Sequence, residues 1–218
     1  MNYESMLSED RVNRIKNLLN KKQPDLHIFM DNVHDSHNIS AIIRSSEAIG
    51  LLKLYYTSYD NRVMKIHKTI TQGSHKWIEV TKIDNNNRLS FLKQKQKEGY
   101  QIVATSLNKS SISYTKIDYT KPTIVVVGNE KDGVDKDILK ISNHQIIIPM
   151  VGMAQSLNVS VATAVILFEA KRQREEANMY NSTQLSKDEY DKLYYKWIRR
   201  DALLKRVKGR VKSIDNFK

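Results

Sequence analysis

The sequence predicts an α/β protein in which a mainly parallel sheet is covered by helices on both faces. From Leu26 onward, short apolar runs alternate with segments of helical periodicity at intervals of roughly thirty residues, which is typical of parallel strands joined by helical crossovers. Three of the helical segments end on a glycine, at positions 50, 73 and 99, as helices do before turning back to a strand. The chain has 218 residues, enough for one sizeable domain with attachments.

The expected elements follow one another in a regular order. An N-terminal helix carries an apolar stripe from Val12 to Leu19, has Ser8 as its N-cap and stops before Pro24. Strands are predicted at 26–30, 52–57, 77–80, 101–105, 123–128 and 145–149, and helices at 38–50, 62–73, 88–99, 136–142 and from about 157 onward. The domain organisation predicted is a helical arm at 1–22, a domain at 23–174 and a basic helical extension at 175–218.

The distribution of charge is informative about partners. The formal net charge is +12, and residues 171–218 alone, with fourteen basic and seven acidic side chains, contribute +7 of it. The chain has no cysteine, which excludes both a disulfide framework and a thiolate metal site. The first residues lack the apolar core of a signal peptide, so we expect a soluble, cytoplasmic protein.

One stretch, from Gln145 to Phe168, contains no charged residue, although 28% of the chain is charged. A membrane span would need about twenty mostly apolar residues in one helix, and this stretch contains Pro149, Gly152 and several polar side chains. We therefore expect no membrane span here. Because proline disfavours helix at the preceding residue, the stretch is interpreted as a buried strand, a joint at Pro149 and a buried helix.

The C-terminal extension has cations interleaved with aromatic residues. The cations proposed to contact RNA are Lys196, Arg199, Arg200, Lys205, Arg206, Lys208 and Arg210, and the aromatic residues among them are Tyr190, Tyr194, Tyr195 and Trp197. A charge run of this kind is often only a solvated helix face. Aromatic rings can stack on bases and cations can meet phosphates, so contact with nucleic acid is the alternative interpretation.

The segment at 125–136 contains two glycines and is the candidate for a loop that binds nucleotide phosphates. Gly128 and Gly133 have the glycine spacing of a P-loop, but Val134 and Asp135 stand where that motif needs Lys and Ser or Thr. The loop is acidic instead, and no G-x-G-x-x-G occurs in the chain. A cofactor with a cationic centre and no phosphate, such as S-adenosylmethionine, is compatible with these surroundings.

Three segments together resemble the motifs of the SPOUT class of methyltransferases, and specifically its TrmH subgroup. They are HNISAIIRSSEAIG at 37–50, IVVVGNEKDGV at 124–134 and IIIPMVGMAQSLNVSVATAVILFEAKRQR at 146–174. The resemblance covers about residues 8–180 and implies a deep trefoil knot, at roughly 128–167, in a homodimer whose active site is completed across the interface. It also implies methyl transfer from S-adenosylmethionine to the ribose 2′-hydroxyl of guanosine 18 in the D-loop of tRNA, without a metal.

The resemblance also implies site residues. The catalytic set is Asn38, Arg44, Glu130, Ser156 and Asn158. The cofactor-binding set is Thr105, Gly128, Ile148 and Leu157, with Met150 and Met153 as neighbours. Because arginine stays protonated, we expect Arg44 to stabilise the developing alkoxide and to grip the adjacent phosphate rather than to act as a free base.

Each of these residues also has an ordinary structural interpretation. Asn38 is also a candidate N-cap, Arg44 a candidate partner of Glu47, and Glu130 a candidate cap of the helix after Gly133. Ser156 and Asn158 are candidate caps of the long helix, and the apolar cofactor-binding residues are candidate core residues. His34 and His37 have no third ligand nearby, which disfavours zinc. The alternatives for function are 2′-O-methylation of another tRNA or rRNA nucleotide, and a non-catalytic RNA-binding module.

Overall fold

The computed structural model describes residues 2–59 and 64–215, with side chains of the last helix as far as Val207. The chain divides into two compact units. The larger unit is Gln23–Asn178, and the smaller one combines Met1–Lys22 with Met179–Lys218. All the elements that bear on the candidate site belong to the larger unit, which we call the sheet unit; the smaller is the terminal unit.

The sheet unit is built on seven strands whose pairings among the described residues are all parallel. The strands are β1 (Gln23–Asp31), β2 (Leu51–Tyr56), β3 (Glu79–Lys82), β4 (Gln101–Thr105), β5 (Ile112–Ser113), β6 (Thr123–Gly128) and β7 (His144–Ile147). Their order across the sheet is β3-β2-β1-β6-β4-β7-β5. In register, Ile28 lies opposite Val125 and Asp31 opposite Gly128, so the carboxyl ends of β1 and β6 meet at one edge.

Seven α-helices accompany these strands in the part of the chain that the structure describes. They are α1 (Glu9–Asn20), α2 (Ser36–Ala48), α3 (Lys68–Thr71), α4 (Arg88–Lys97), α5 (Lys136–Ile141), α6 (Val159–Glu176) and α7 (Lys187–Asp215). No helix within residues 2–59 or 64–215 is both long enough and apolar enough to cross a membrane.

Both faces of the sheet are buried, as the alternation of side chains along a strand requires. On one face, Ile28 and Val125 pack in a core with Ile42 of α2 and Leu167 of α6. On the other face, a second core contains Phe29, Ile124 and Val126 of the strands, Leu92 of α4 and Ile138 of α5. The prediction of a parallel sheet with helices on both sides is confirmed.

The terminal unit is held together by caps and ion pairs of its own. The Ser8 side chain accepts a hydrogen bond from the backbone N–H of Arg11 at the start of α1, as predicted. Helix α7 begins with a capping box, in which Ser186 Oγ accepts from the backbone N–H of Glu189 and the Glu189 carboxylate accepts from the backbone N–H of Ser186. Arg11 donates to Asp201 Oδ2 at 2.5 Å, which joins α1 to α7.

The structure differs from the prediction in several elements, and β3, for example, lies two residues later than expected, at Glu79–Lys82. The helix expected at 62–73 is only one turn, Lys68–Thr71, and the residues described before it, 64–67, have no regular structure. Strand β5, with only two residues, was not predicted. Helix α2 begins at Ser36 rather than near Asn38, because the Asp35 side chain accepts from the backbone N–H groups of His37 and Asn38.

Candidate functional site

A cavity of about 510 Å³ opens at the carboxyl ends of β4, β6 and β7, where ligands of parallel sheets are expected. Its volume lies within the range of small-molecule sites, about 300–1,000 Å³. The predicted residues that line it are Thr105, Gly128, Glu130, Ile148, Ser156, Leu157 and Asn158. Residues from three separate segments of the chain therefore meet around one space.

Gly128 makes part of the wall from backbone alone. A Cβ atom at this position would lie 2.0 Å from the carbonyl carbon of Gly133 and 2.2 Å from the nitrogen of Val134, closer than real side chains approach. Gly133 itself has φ of +71°, a conformation that favours glycine. The loop after β6 can fold back against its own strand only because both positions are glycine.

Asn38 is the centre of a hydrogen-bonded cluster beside the cavity. Its Nδ2 donates to Glu130 Oε1 at 2.5 Å, and its Oδ1 accepts from Asn158 Nδ2 at 3.0 Å. Ser160 Oγ lies 3.3 Å from the same Asn38 oxygen and 2.6 Å from Asn158 Oδ1. We call Asn38, Glu130, Asn158 and Ser160 the amide cluster. It ties the start of α2 to the loop after β6 and to the start of α6.

Asn158 has two roles, because it is also the N-cap of α6. Its Oδ1 accepts the backbone N–H of Ser160 at 2.8 Å, which orients the amide so that Nδ2 points to Asn38. Ser156 lies two residues before this cap, in the loop that lines the cavity. Ser156 and Asn158 therefore both lie in the joint between β7 and α6.

The ordinary interpretations of Asn38 and Glu130 do not apply. Asp35 caps α2, so Asn38 stands inside the first turn of the helix. Asp135 caps α5 by accepting the backbone N–H of Asp137, so Glu130 is not that cap. Both side chains are left to bond each other across 92 residues of sequence.

A buried carboxylate holds the same loop from the other side. Asp31, at the end of β1 and 1% exposed, accepts the backbone N–H of Asp135 at 2.8 Å. Burial raises the pKa of Asp31 above its ordinary value. Arg88 donates to the Asp135 carboxylate at 3.0 Å, and its positive charge partly balances the negative charges of Asp31 and Asp135. Asp31 therefore fixes where the loop ends and α5 begins.

Four residues of the predicted catalytic and cofactor-binding sets lie outside the cavity lining, and one of them, Asn38, borders it through its hydrogen bonds to Glu130 and Asn158. Arg44 is exposed on α2, six residues beyond Asn38, and its Nη1 donates to the carbonyl oxygen of Ile70 at 3.2 Å. Six residues of helix are about 9 Å long, so Arg44 is well separated from the amide cluster. Met150 and Met153 belong to the loop between β7 and α6 but do not line the cavity, and Met153 is fully exposed.

The predicted RNA-binding cations of α7 differ in their exposure and in the hydrogen bonds that they make. The side chains of Lys196, Arg199 and Arg206 are exposed. Arg200 donates to Asp201 Oδ1 at 3.0 Å, and Lys205 donates to the carbonyl oxygen of Met6 at 2.9 Å. The side chains of Lys208 and Arg210 lie outside the described residues.

The cavity is chemically suited to S-adenosylmethionine. Ile146, Ile148 and Leu157 supply apolar walls, while Glu130 and Asp132 supply carboxylates near which a sulfonium is tolerated and a polyphosphate is repelled. The close approach of Gly128 to Gly133 leaves backbone rather than side chain against a ligand. The residues present therefore fit this cofactor.

The sequence of the chain assigns it to a class of RNA methyltransferases. Residues 25–168 match the family described as SpoU rRNA Methylase, and residues 172–198 match its C-terminal region, "SpoU, rRNA methylase, C-terminal". The chain belongs to the SpoU methylase family. The resemblance to the TrmH subgroup and the expectation of a methyltransferase are thereby confirmed.

Two relatives with high sequence identity have names that specify a substrate. The chain is 48% identical over 203 residues to a protein of Aquifex aeolicus, covering 93% of this chain and 95% of the relative. It is 41% identical over 194 residues to a protein of Thermus thermophilus, covering 88% of this chain and 98% of the relative. Both relatives are named tRNA (guanosine(18)-2′-O)-methyltransferase.

Solved structures agree with the sequence comparison. The crystal structure of the A. aeolicus TrmH/SpoU tRNA modifying enzyme has a TM-score of 0.84 at 50% identity, covering 88% of this chain and 97% of that one. An AdoMet-bound rRNA methyltransferase from Sinorhizobium meliloti has a TM-score of 0.58 at 27% identity, covering 72% of this chain and 59% of that one. A protein of similar fold has therefore been solved with this methyl donor.

Asp31 and Ser160 are members of the site that sequence reasoning did not single out. A short acidic residue at a strand end and a serine in the first turn of a helix are both common, so neither is a signal by itself. The position of Asp31 directly after the apolar run LHIFM, at the edge where ligands bind, was the available clue.

Proposed function

We propose that the chain transfers a methyl group from S-adenosylmethionine to the ribose 2′-hydroxyl of guanosine 18 in tRNA. The observation that carries this proposal is the amide cluster at the mouth of the cavity, which joins Asn38, Glu130 and Asn158 from three segments. Relatives at 41% and 48% identity over most of the chain carry this activity in their names, which supports the choice of nucleotide.

For the cofactor, we propose contacts from Thr105, Gly128, Ile148 and Leu157, with Met150 and Met153 as neighbours. The first four line the cavity, where Gly128 allows the loop backbone to pass close by. When bound there, S-adenosylmethionine supplies an electrophilic methyl group. The protein contributes the position of the ribose and the charge of its surroundings, since a hydroxyl must be held in line to react.

The protein side of the mechanism has two parts. Glu130 and Asn158 hold the Asn38 amide in one orientation. We propose that Ser156, which lines the cavity, contacts the ribose or the cofactor. Arg44 remains cationic, so it stabilises negative charge that develops on the 2′-oxygen and binds the neighbouring phosphate.

The position of Arg44 supports a homodimeric enzyme. Its exposed side chain is about two turns of helix away from the amide cluster of its own protomer. The surface of the sheet unit also carries exposed apolar side chains, with Val161 48% and Phe168 53% exposed on α6. These two residues are seven positions apart and therefore lie on the same face of the helix, and exposed apolar surface of this kind is typical of protein contacts. We propose that α6 packs on a second copy and that Arg44 completes the partner's site.

The remaining family properties stay predictions. We propose that the chain is threaded as a trefoil knot at about 128–167, that the three domains predicted are its functional divisions, and that it works in the cytoplasm, where tRNA is modified. We propose that exposed cations of α7, among them Lys196, Arg199, Lys205 and Arg206, bind the tRNA backbone together with Arg200, Lys208 and Arg210.

Radiolabelled methyl transfer to unmodified tRNA tests the proposed function. We expect label in tRNA and, after nuclease mapping, a 2′-O-methylated guanosine at position 18. A transcript with 2′-deoxyguanosine at this position is the matched control and should accept no label. Label at another nucleotide would contradict the choice of position, and tRNA binding without label would favour the non-catalytic alternative.

The role of Arg44 is tested by Arg44→Lys in single-turnover methylation across pH. We expect a rate at least about a hundred-fold below that of the wild type, because lysine cannot reproduce the planar, multi-donor guanidinium. Mixing this variant with an Asn38→Ala chain tests the dimer, because a heterodimer then has one intact site. Recovered activity in the mixture supports sharing of the site, and a nearly intact Arg44→Lys enzyme contradicts its role.

A further inference from the structure

The rings of His37 and His67 form a stacked pair at the start of α2. Their centroids lie 4.5 Å apart, and the planes differ by 19°. The His37 side chain is 69% exposed. One face of this ring is covered by His67, so the exposed area belongs largely to its outer face and edges. We call this pair the imidazole stack.

The inner ring of the stack is held in place by α2. Its Nε2 lies 2.8 Å from Ser36 Oγ, and the backbone N–H of His67 donates to Ser40 Oγ at 2.9 Å. Ser40 in turn donates to the carbonyl oxygen of Ser36 at 2.7 Å. A planar surface that is fixed before binding loses little conformational entropy when a ligand stacks on it.

The imidazole stack is next to the proposed reaction site. His37 directly precedes Asn38, the centre of the amide cluster. The Asp35 carboxylate lies 3.9 Å from His37 Nδ1, and Glu130 bonds the adjacent residue. These carboxylates disfavour a phosphate in contact with the His37 ring. The uncharged face of a nucleobase is the part of an RNA that matches this surface.

We propose that the outer face of His37, supported by His67, is a stacking surface for a base of the substrate RNA close to the methylated ribose. RNA-binding proteins commonly stack unpaired bases on aromatic side chains, histidine included. The inference rests on the proposed function, since it needs an RNA substrate at the amide cluster. It adds a contact to a base where the α7 cations supply contacts to phosphates.

Three variants test this inference: His37→Ala removes the ring, His37→Phe keeps a planar ring without the ring nitrogens, and His144→Ala is the control. His144 is an exposed histidine at the amino end of β7, away from the cavity edge. The affinity for tRNA is measured at several salt concentrations, and the affinity for S-adenosylmethionine is measured separately.

We expect His37→Ala to weaken tRNA binding roughly ten-fold, within the range known for a lost base–aromatic stack. The slope of log affinity against log salt should be unchanged, because no phosphate contact is lost. His37→Phe should restore most of the affinity, while cofactor binding and the His144→Ala variant should match the wild type.

Other results would overturn the inference. If His37→Ala lowers the salt slope by about one and His37→Phe fails to restore binding, His37 contacts a phosphate. If His37→Ala binds like the wild type, the surface is not used. In both cases a wild-type chain that still methylates tRNA leaves the proposed function standing, whereas a wild-type chain that binds no tRNA overturns the proposed function and this inference together.

Discussion

The amide cluster and the cations of α7 present polar groups in opposite ways. In the amide cluster, Asn38 makes hydrogen bonds to Glu130 and Asn158, so its orientation is determined by groups distant in sequence. On α7, Lys196 and Arg199 are exposed on a single helix. The first arrangement suits a reaction that needs exact placement of atoms, and the second suits a polyanion that can be bound in many registers.

The largest effect is expected where the cavity wall is backbone. Gly128→Ala would place a Cβ 2.0 Å from the Gly133 carbonyl carbon, so the loop must move and the cavity must change shape. We expect cofactor binding to fall below detection in titration calorimetry, with a loss of stability of about 1–3 kcal/mol or more in urea.

Gly152→Ala is the control for this substitution, because a Cβ there meets nothing within 4 Å. It should bind the cofactor like the wild type. Normal cofactor binding by Gly128→Ala would show that the loop after β6 adapts. The contrast between a fixed site around the amide cluster and an adaptable surface on α7 would then be wrong.

The second prediction concerns a buried ion pair that fixes the end of α6. Arg174 is fully buried, donates to Asp25 Oδ1 at 2.6 Å and also donates to the carbonyl oxygen of Tyr119 at 2.9 Å. Arg174→Met leaves these acceptors without their donor and should destabilise the protein by about 3 kcal/mol, the lower end for a broken buried pair, since Asp25 is partly exposed.

Arg172, on the exposed side of the same helix, is the matched control. It pairs with Glu169 and Glu176 at the surface, so Arg172→Met should leave the urea midpoint almost unchanged. Equal midpoints for the two variants would show that the pair of Arg174 contributes no more than a surface pair does.

The third prediction is a change of charge in the amide cluster. Asn38→Asp keeps the size of the side chain but places a carboxylate against Glu130, where Asn38 Nδ2 now donates. We expect single-turnover methylation at neutral pH to fall about ten- to a hundred-fold, because a donor is replaced by a like charge.

The pH dependence of the Asn38→Asp variant tests whether the loss of rate comes from repulsion between the two carboxylates. Two adjacent carboxyl groups share a proton when the pH falls, which restores a donor between them. The ratio of the variant rate to the wild-type rate should therefore rise as pH falls from neutral. Asn38→Ala, which cannot be protonated, should show a constant ratio, and a constant ratio for Asn38→Asp would contradict the contact with Glu130.

The smallest effects are expected on α7, and two neighbours form a matched pair. Arg199 is exposed, whereas Arg200 donates to Asp201. Arg199→Gln should lower the salt slope of tRNA binding by about one and weaken binding for all tRNAs alike. Arg200→Gln should change the slope less, because its charge is already balanced. A larger effect for Arg200 would mean that its ion pair opens on binding.

The sheet could be predicted from the sequence more fully than the site. Strands β4 and β6 agree with the prediction to the residue, and Gly50 and Gly99 have the positive φ expected after a helix. These features depend on local patterns of apolar residues and on glycine itself. The single turn at Lys68–Thr71 and the two-residue β5 depend on tertiary contacts, which override a periodicity rule or escape its detection.

For the amide cluster, the sequence predicted three of the residues but not the hydrogen bonds between them. Motif resemblance selected Asn38, Glu130 and Asn158, but local rules made each of them a helix cap. Asp35, Ser36 and Asn38 can all cap a helix, and the sequence does not say which does. Asp35 takes that role, which leaves Asn38 free to bond Glu130, and such a bond between distant segments has no local signal.

The bond between Asn38 and Asn158 also has a consequence for synthesis. The two residues are 120 positions apart in the chain. At translation rates of about 5–20 residues per second, Asn158 is made about 6 to 24 s after Asn38. β1 and β2 can pair during that interval, but the amide cluster cannot form. Just before Asn158 is made, a chain still on the ribosome therefore contains every strand of the sheet, since β7 ends at Ile147, but it has no amide cluster.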